Sequence, residues 1–288
     1  MEHQPQNLIF FTNRMDNIYY SNSSEISLIF INPNNNLIEF DTVYILLSYT
    51  MYTAKKMTTI KVLNLKFTNK KLIIFDLDGT LIDSSPDLAL AINHMLKILN
   101  RDTFSSDTIH YWVGNGAEVL VKRALSGTAT IDKTLDPVLC KEALQIFLTF
   151  YAKNLAVATL PYPHVLSTLQ TLKNNGYRLA IVTNKPFAFV EPILTTLGLM
   201  EFFELILGGD SLEEKKPNPM PLLYVCEQLN VSVEESLMVG DSKNDILAAN
   251  ACGMQSIGLT YGYNYGEDIA IYKPSFVFDK FADILDTL

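Results

Sequence analysis

The sequence predicts an α/β protein: a Rossmann-like open parallel sheet covered on both faces, with a helical domain inserted after its first strand. Three observations carry this. Short apolar runs that end in Asp, Asn or Gly recur from Leu72 onward, and amphipathic stretches of helical period lie between them. A long helical stretch also separates the first run from the second, spanning residues 77–178. Near-continuous apolar runs suit strands buried on both faces of a parallel sheet. Repeated strand–helix alternation suits an open sheet with helices on each side.

The first strand is "LIIFD" (72–76). Later strands are "LAIVTN" (179–184), "LILGGD" (205–210), "SLMVGD" (236–241), "SIGLT" (256–260) and "FVFD" (276–279). In the intervening stretch, Leu88, Ile92, Met95, Leu96 and Leu99 share one helical face, and Pro86 takes a favourable first-turn position after Ser85. "GAEVLVKRAL" and "DPVLCKEALQIFLTFYAKNL" continue the helical pattern. "VLSTLQTLKNNG" then returns to the sheet and closes at Gly176, a helix-end signal. The resulting division is a core of 67–84 and 163–288 around a helical domain of 85–162, which is placed over the mouth of the sheet.

Residues 1–66 differ from the rest. "SNSSE" and "NPNNN" interrupt apolar patches that hold neither helical nor strand period over a useful length. The segment reads as a poorly ordered extension, and Met57 opens a stretch that resembles an ordinary start. Its longest uncharged stretch, Thr42–Ala54, is well short of the ~20 residues a membrane span needs. A basic start and a small-residue cleavage site are both missing from the first residues. The net charge of −9 argues against nucleic acid or an anionic membrane as a partner. Cys140, Cys226 and Cys252 lie far apart without a CxxC, as expected of reduced thiols in the cytoplasm. No histidine pair has a zinc spacing.

The chemistry gathers where strands end, because ligands of open α/β sheets bind beyond the carboxyl ends of the strands. Asp76 and Asp78 stand there together. Two such charges roughly 4 Å apart, at an effective dielectric of roughly 20, repel by about 4 kcal/mol. "VGDSKND" brings Asp241 and Asp245 to the same edge. Two converging acidic pairs call for a hard cation with oxygen ligands, and Mg²⁺ fits best because it takes few carboxylates and keeps room for water and phosphate. Lys216 in "EKKPNP" is expected at the same mouth.

With these motifs in this order, the sequence resembles the haloacid dehalogenase superfamily. "DLDGTL" looks like its first motif, "VTN" its second, the lysine before proline in "KKPNP" its third and "GDSKND" its fourth. The helical insert matches the family's cap position. Within the superfamily, residues 70–286 are similar to the bacterial phosphoglycolate phosphatases, through "WVGNGAEVLVKRAL", "VTNKP", "KKPNPMPLLYVCEQL" and "GLTYGYNYGEDI". The resemblance implies a Mg²⁺-dependent hydrolase of a small phosphorylated carboxylate. Asp76 would be the nucleophile and Asp78 the acid and base. Asp76, Asp241 and the main-chain carbonyl of Asp78 would hold the metal. Thr183, Asn184 and Lys216 would bind the phosphoryl group, with Asp245 positioning Lys216 or a metal-bound water.

A substrate carboxylate needs its own donors. The free N–H groups following Gly114, Asn115 and Gly116 are candidates, as is Arg123, whose guanidinium suits a planar carboxylate. Lys122 beside it reads as a solvated charge. Other chemistries on the scaffold fit less well. A dehalogenase does not need Asp78, and a transport ATPase carries Lys-Thr-Gly after the nucleophile in a membrane protein. A phosphosugar mutase keeps both aspartates and stays open, as does phosphatase activity on other small esters. A non-catalytic phosphoester-binding protein would be expected to have lost Asp76, Asp78 or Lys216.

Overall fold

The computed structural model describes residues 66–288 throughout and, before them, only the backbone of residues 7–11, 26–31 and 37–38. The chain divides into two compact units, Met1–Leu65 and Lys66–Leu288. In the first unit, β1 (Asn7–Phe11) pairs parallel with β2 (Ile26–Ile31), which pairs antiparallel with β3 (Leu37–Ile38). The sequence holds no strand period over a useful length there, and the strands form without one. "NLIFF" and "ISLIFI" are runs of β-branched, aromatic and leucine residues, which favour extended backbone without strict alternation. The remainder of 1–65, including Thr42–Ala54 and Met57, lies outside the described residues.

The second unit is built on a six-stranded sheet in the order β11-β10-β9-β4-β7-β8. Its strands are β4 (Leu72–Phe75), β7 (Arg178–Val182), β8 (Leu205–Leu207), β9 (Ser236–Gly240), β10 (Gln255–Leu259) and β11 (Phe276–Phe278). Every pairing is parallel. All the strands expected from the apolar runs are present, and the fold is α/β. β4 is central: Phe75 lies beside Val239 of β9 on one side and Ile181 of β7 on the other. The segments that leave β4, β7 and β9 therefore emerge next to one another.

Alternation along the strands divides the interior into two layers. Ile73 and Phe75 pack with α5 (Val165–Asn174) and α6 (Phe187–Thr196). Leu72 and Ile74 face the opposite layer, with α7 (Met220–Gln228) and α8 (Lys243–Cys252). Both faces are covered, which explains why β4 reads as uninterrupted apolar sequence.

The helical stretch leaves and rejoins this core through one antiparallel pair. β5 (Ile82–Asp83) pairs with β6 (Leu160–Pro161). Between them run α1 (Ser85–Ile98), α2 (Ser106–His110), α3 (Ala117–Ser126) and α4 (Pro137–Lys153). α1 buries Leu88, Ile92, Met95 and Leu96, the face expected from its period, and packs against α4. Asp87 ties the exit to the entrance, accepting from the Ala158 and Thr159 N–H groups and from the Thr159 hydroxyl. Among the described residues, no helix is long and apolar enough to cross a membrane.

Candidate active site

β4 ends in Asp76, whose N–H continues the ladder to the Val239 carbonyl at 3.0 Å. Its Oδ1 accepts from the Leu77 N–H at 2.7 Å and lies 3.0 Å from Lys216 Nζ. Oδ2 accepts no hydrogen bond from the described residues. Lys216 is fully enclosed, donating to Asp245 Oδ1 at 2.6 Å and to the Val182 carbonyl at 2.5 Å. Burial acts to lower its pKa, but the Asp245 and Asp76 carboxylates together outweigh that and hold the ammonium above its ordinary range.

Asp241 follows β9 and is held differently. The Thr80 hydroxyl donates to its Oδ1 at 2.5 Å and the Tyr263 N–H to its Oδ2 at 2.6 Å. The carboxylate is wedged between Gly79 and Gly262, and a Cβ on either glycine would overlap it. Gly79 also has φ +89°, a region that side chains rarely adopt. Asp245 stands in the first turn of α8, where it closes a capping box with Ser242: its Oδ2 accepts from the Ser242 N–H at 2.9 Å and hydroxyl at 2.8 Å.

Carboxylate oxygens of Asp76, Asp241 and Asp245 all lie within 4.8 Å of one another, and all three residues are buried. Lys216 touches two of them and not Asp241. Burial first, then Asp245, raise Asp76 to about 7 against the pull of Lys216. Asp241 is raised well above its ordinary value by burial and by the charges of Asp245 and Asp76. A buried, like-charged, all-oxygen cluster short of positive charge fits a small divalent cation.

Asp78 is not a member of that cluster. Ser84 Oγ donates to its Oδ1 at 2.6 Å, and Lys185 Nζ lies 3.1 and 3.2 Å from its two oxygens. Asp76 and Asp78 thus each face a buried lysine, Lys216 and Lys185, the first of them shared with Asp245. Ser84, not Ser85, stands at the cap of α1, with its hydroxyl committed to Asp78.

A cavity of about 40 Å³ lies against these groups, lined by Asp76, Asp78, Thr183 and Asn184 from the sheet and by Gly114 and Gly116 from the insert. Asn184 Nδ2 donates to the Lys216 carbonyl at 2.9 Å and the Gly114 carbonyl at 3.3 Å, while its buried Oδ1 has no partner among the described residues. Asn115 sits behind the wall, accepting from the Tyr265 hydroxyl at 2.6 Å. Arg123 is not on the wall. Its guanidinium donates to the Trp112 carbonyl at 2.7 Å and the Ala129 carbonyl at 3.0 Å, and lies over the Tyr265 ring at 5.0 Å. Lys122 pairs with Glu118 on the surface.

Two side chains escaped the sequence reading, Lys185 and Tyr151. Lys185 directly follows "VTN", and its position after a strand end on the ligand side was the available signal. Tyr151 lies on the buried face of α4, where helical period marks it only as core.

The sequence profile of the haloacid dehalogenase-like hydrolases matches residues 73–259. The phosphoglycolate phosphatase of Colwellia psychrerythraea is 57% identical over 224 residues, covering 78% of this chain and 99% of that protein. The phosphoglycolate phosphatase of Psychrobacter arcticus is 48% identical, covering 76% and 96%. The crystal structure of a predicted phosphoglycolate phosphatase from Haemophilus somnus superposes with a TM-score of 0.71 at 47% identity, covering 76% of this chain and 97% of that one. With its four motif segments meeting at one edge of the sheet, the chain belongs to the haloacid dehalogenase-like hydrolase family.

Proposed function

We propose that the protein is a phosphoric monoester hydrolase that converts 2-phosphoglycolate to glycolate and inorganic phosphate. One observation carries the chemistry: Asp76 has one oxygen pinned by Lys216 and the Leu77 N–H, and the other unbonded beside a cavity that Asp78 also lines. The choice of substrate draws on the similarity to proteins named phosphoglycolate phosphatase.

In the first displacement, Asp76 Oδ2 attacks phosphorus as the bond to the glycolate oxygen breaks, and Asp78 gives that oxygen a proton. In the second, Asp78 takes a proton from water as the water oxygen attacks the aspartyl-phosphate, restoring Asp76 and releasing phosphate. Thr183 donates its hydroxyl to a phosphoryl oxygen and Lys216 balances charge on the nucleophile, while the Asn184 side-chain amide, whose two N–H bonds go to the Lys216 and Gly114 carbonyls, braces the cavity wall. Asp76, Asp241 and the Asp78 carbonyl would hold Mg²⁺, with Asp245 beside them. Bound there, the ion would neutralise phosphoryl charge and orient the group for in-line attack. Residues 85–162 act as the cap over this cavity. Buried, unpaired Cys140 and Cys226 suit a reducing compartment, and we place the protein in the cytoplasm.

The experiment is phosphate release from a panel of small phosphate esters, with and without Mg²⁺. Preference for 2-phosphoglycolate supports the reading. Rearranged phosphoester without free phosphate would instead identify a mutase.

A further inference from the structure

We propose that Lys185, together with the Tyr151 hydroxyl, is the receptor for the substrate's carboxylate. The inference rests on the phosphoglycolate reading and assigns its specificity to a residue pair. In 2-phosphoglycolate a single methylene separates the carboxylate from the leaving oxygen. Asp78 must stand at that oxygen, so the receptor must be an immediate neighbour of Asp78. Lys185 meets the condition, with Nζ 3.1 Å from Asp78 Oδ1 and 3.2 Å from Oδ2. It is also the one positively charged side chain lining the cavity among the described residues.

The competing cations do not line the cavity. Arg123 serves two backbone carbonyls away from the cavity, and Lys216 is held by Asp76, Asp245 and the Val182 carbonyl. Lys215 lies at the surface, donating to the Asn115 carbonyl.

Tyr151 supplies an independent observation. Its hydroxyl accepts from Lys185 Nζ at 2.8 Å, and its own O–H hydrogen has no acceptor among the described residues. Burial pushes its pKa up, so it remains a donor. A neutral donor and a cation side by side on a cavity wall suit a carboxylate, which takes one to each oxygen. Gly116 and Ala117, at the N-terminus of α3, line the same cavity and add partial positive charge. The two members come from opposite sides, Lys185 following β7 and Tyr151 lying on α4, so the receptor is complete only when the insert is seated on the sheet.

The test compares kcat/KM of the full chain, with Mg²⁺, for 2-phosphoglycolate and for ethyl phosphate, which carries a methyl group in place of the carboxylate. Lys185→Gln is expected to lower the phosphoglycolate-to-ethyl-phosphate ratio by about ten- to a hundredfold, the loss of a charge-assisted hydrogen bond. Lys185→Arg should recover part of the ratio, and Tyr151→Phe should lower it several-fold, mainly through KM. Glycolate should raise the melting temperature of the wild type and not that of Lys185→Gln. An equal loss on both substrates in Lys185→Gln and an unchanged ratio in Tyr151→Phe would overturn the proposal, leaving Lys185 as a partner of Asp78 alone while the phosphoglycolate reading stands. If Lys185→Gln does not fold, an unchanged ratio in both Tyr151→Phe and Lys185→Arg overturns it equally. A wild type that hydrolyses ethyl phosphate and not 2-phosphoglycolate overturns both readings.

Discussion

Asp76 combines two demands on one carboxylate, since it must be desolvated enough to attack and charged enough to do so. Asp76→Asn keeps the shape and removes the charge. It is expected to lower phosphate release by roughly four orders of magnitude or more while leaving the circular dichroism spectrum and melting transition in place. The same burial sets a pH dependence in cation-free protein. Asp76 is raised from 3.8 to about 7 in the folded state, by burial first. The folded chain therefore holds a proton that the unfolded chain has already lost. The associated stability is present in full below about pH 4 and is lost as pH rises through the folded value. Asp241 pushes in the same direction. Urea denaturation without divalent cations should show stability falling between about pH 4 and 7, and added Mg²⁺ should flatten the slope. The acidic residues were legible because charge at the end of an apolar strand has few structural explanations, and Lys216 through the order of the motifs around it. Lys185 was not, since a lysine in a loop after a strand looks like solvated charge until Tyr151 and Asp78 are seen to enclose it.

At the scale of the element, the loops after β4 and β9 are shaped around Asp241. Gly79→Ala would place a methyl group on its carboxylate and force an unfavourable φ. The expected result is Mg²⁺ affinity weaker by about tenfold or more, read by titration calorimetry, as for altered support of a metal ligand. α3 offers a contrast. Arg123 holds the Trp112 and Ala129 carbonyls together, so Arg123→Ala should cost about 1 kcal/mol in stability and lower turnover of phosphoglycolate and ethyl phosphate by the same factor. α1, α3 and α4 were visible in the sequence from their helical pattern. α2 was not, because five residues are too few to establish a period. The strand order was also hidden, since apolar runs fix which segments are buried and not which are neighbours.

For the molecule as a whole, a chain beginning at Met57 is expected to keep its melting transition and its phosphate release. The compact unit of Lys66–Leu288 contains all the site residues, and the Colwellia relative is matched over 99% of its length by 78% of this chain. Aggregation, or loss of the cooperative transition, would show that the first residues complete the core. The fold class was legible because parallel strands buried on both faces leave a strong apolar signature, whereas the short strands before residue 40 left almost none. The pairing of β5 with β6 has one more consequence. Ile82 lies beside Pro161 and Asp83 beside Leu160, so the chain leaves the sheet and returns to it at a single point. Strands paired in this way can be joined by a hairpin turn of about two residues. The helices between them are therefore a graft, removable in principle without cutting the sheet, and open to exchange for another insert that would bring a different selectivity to the same aspartate.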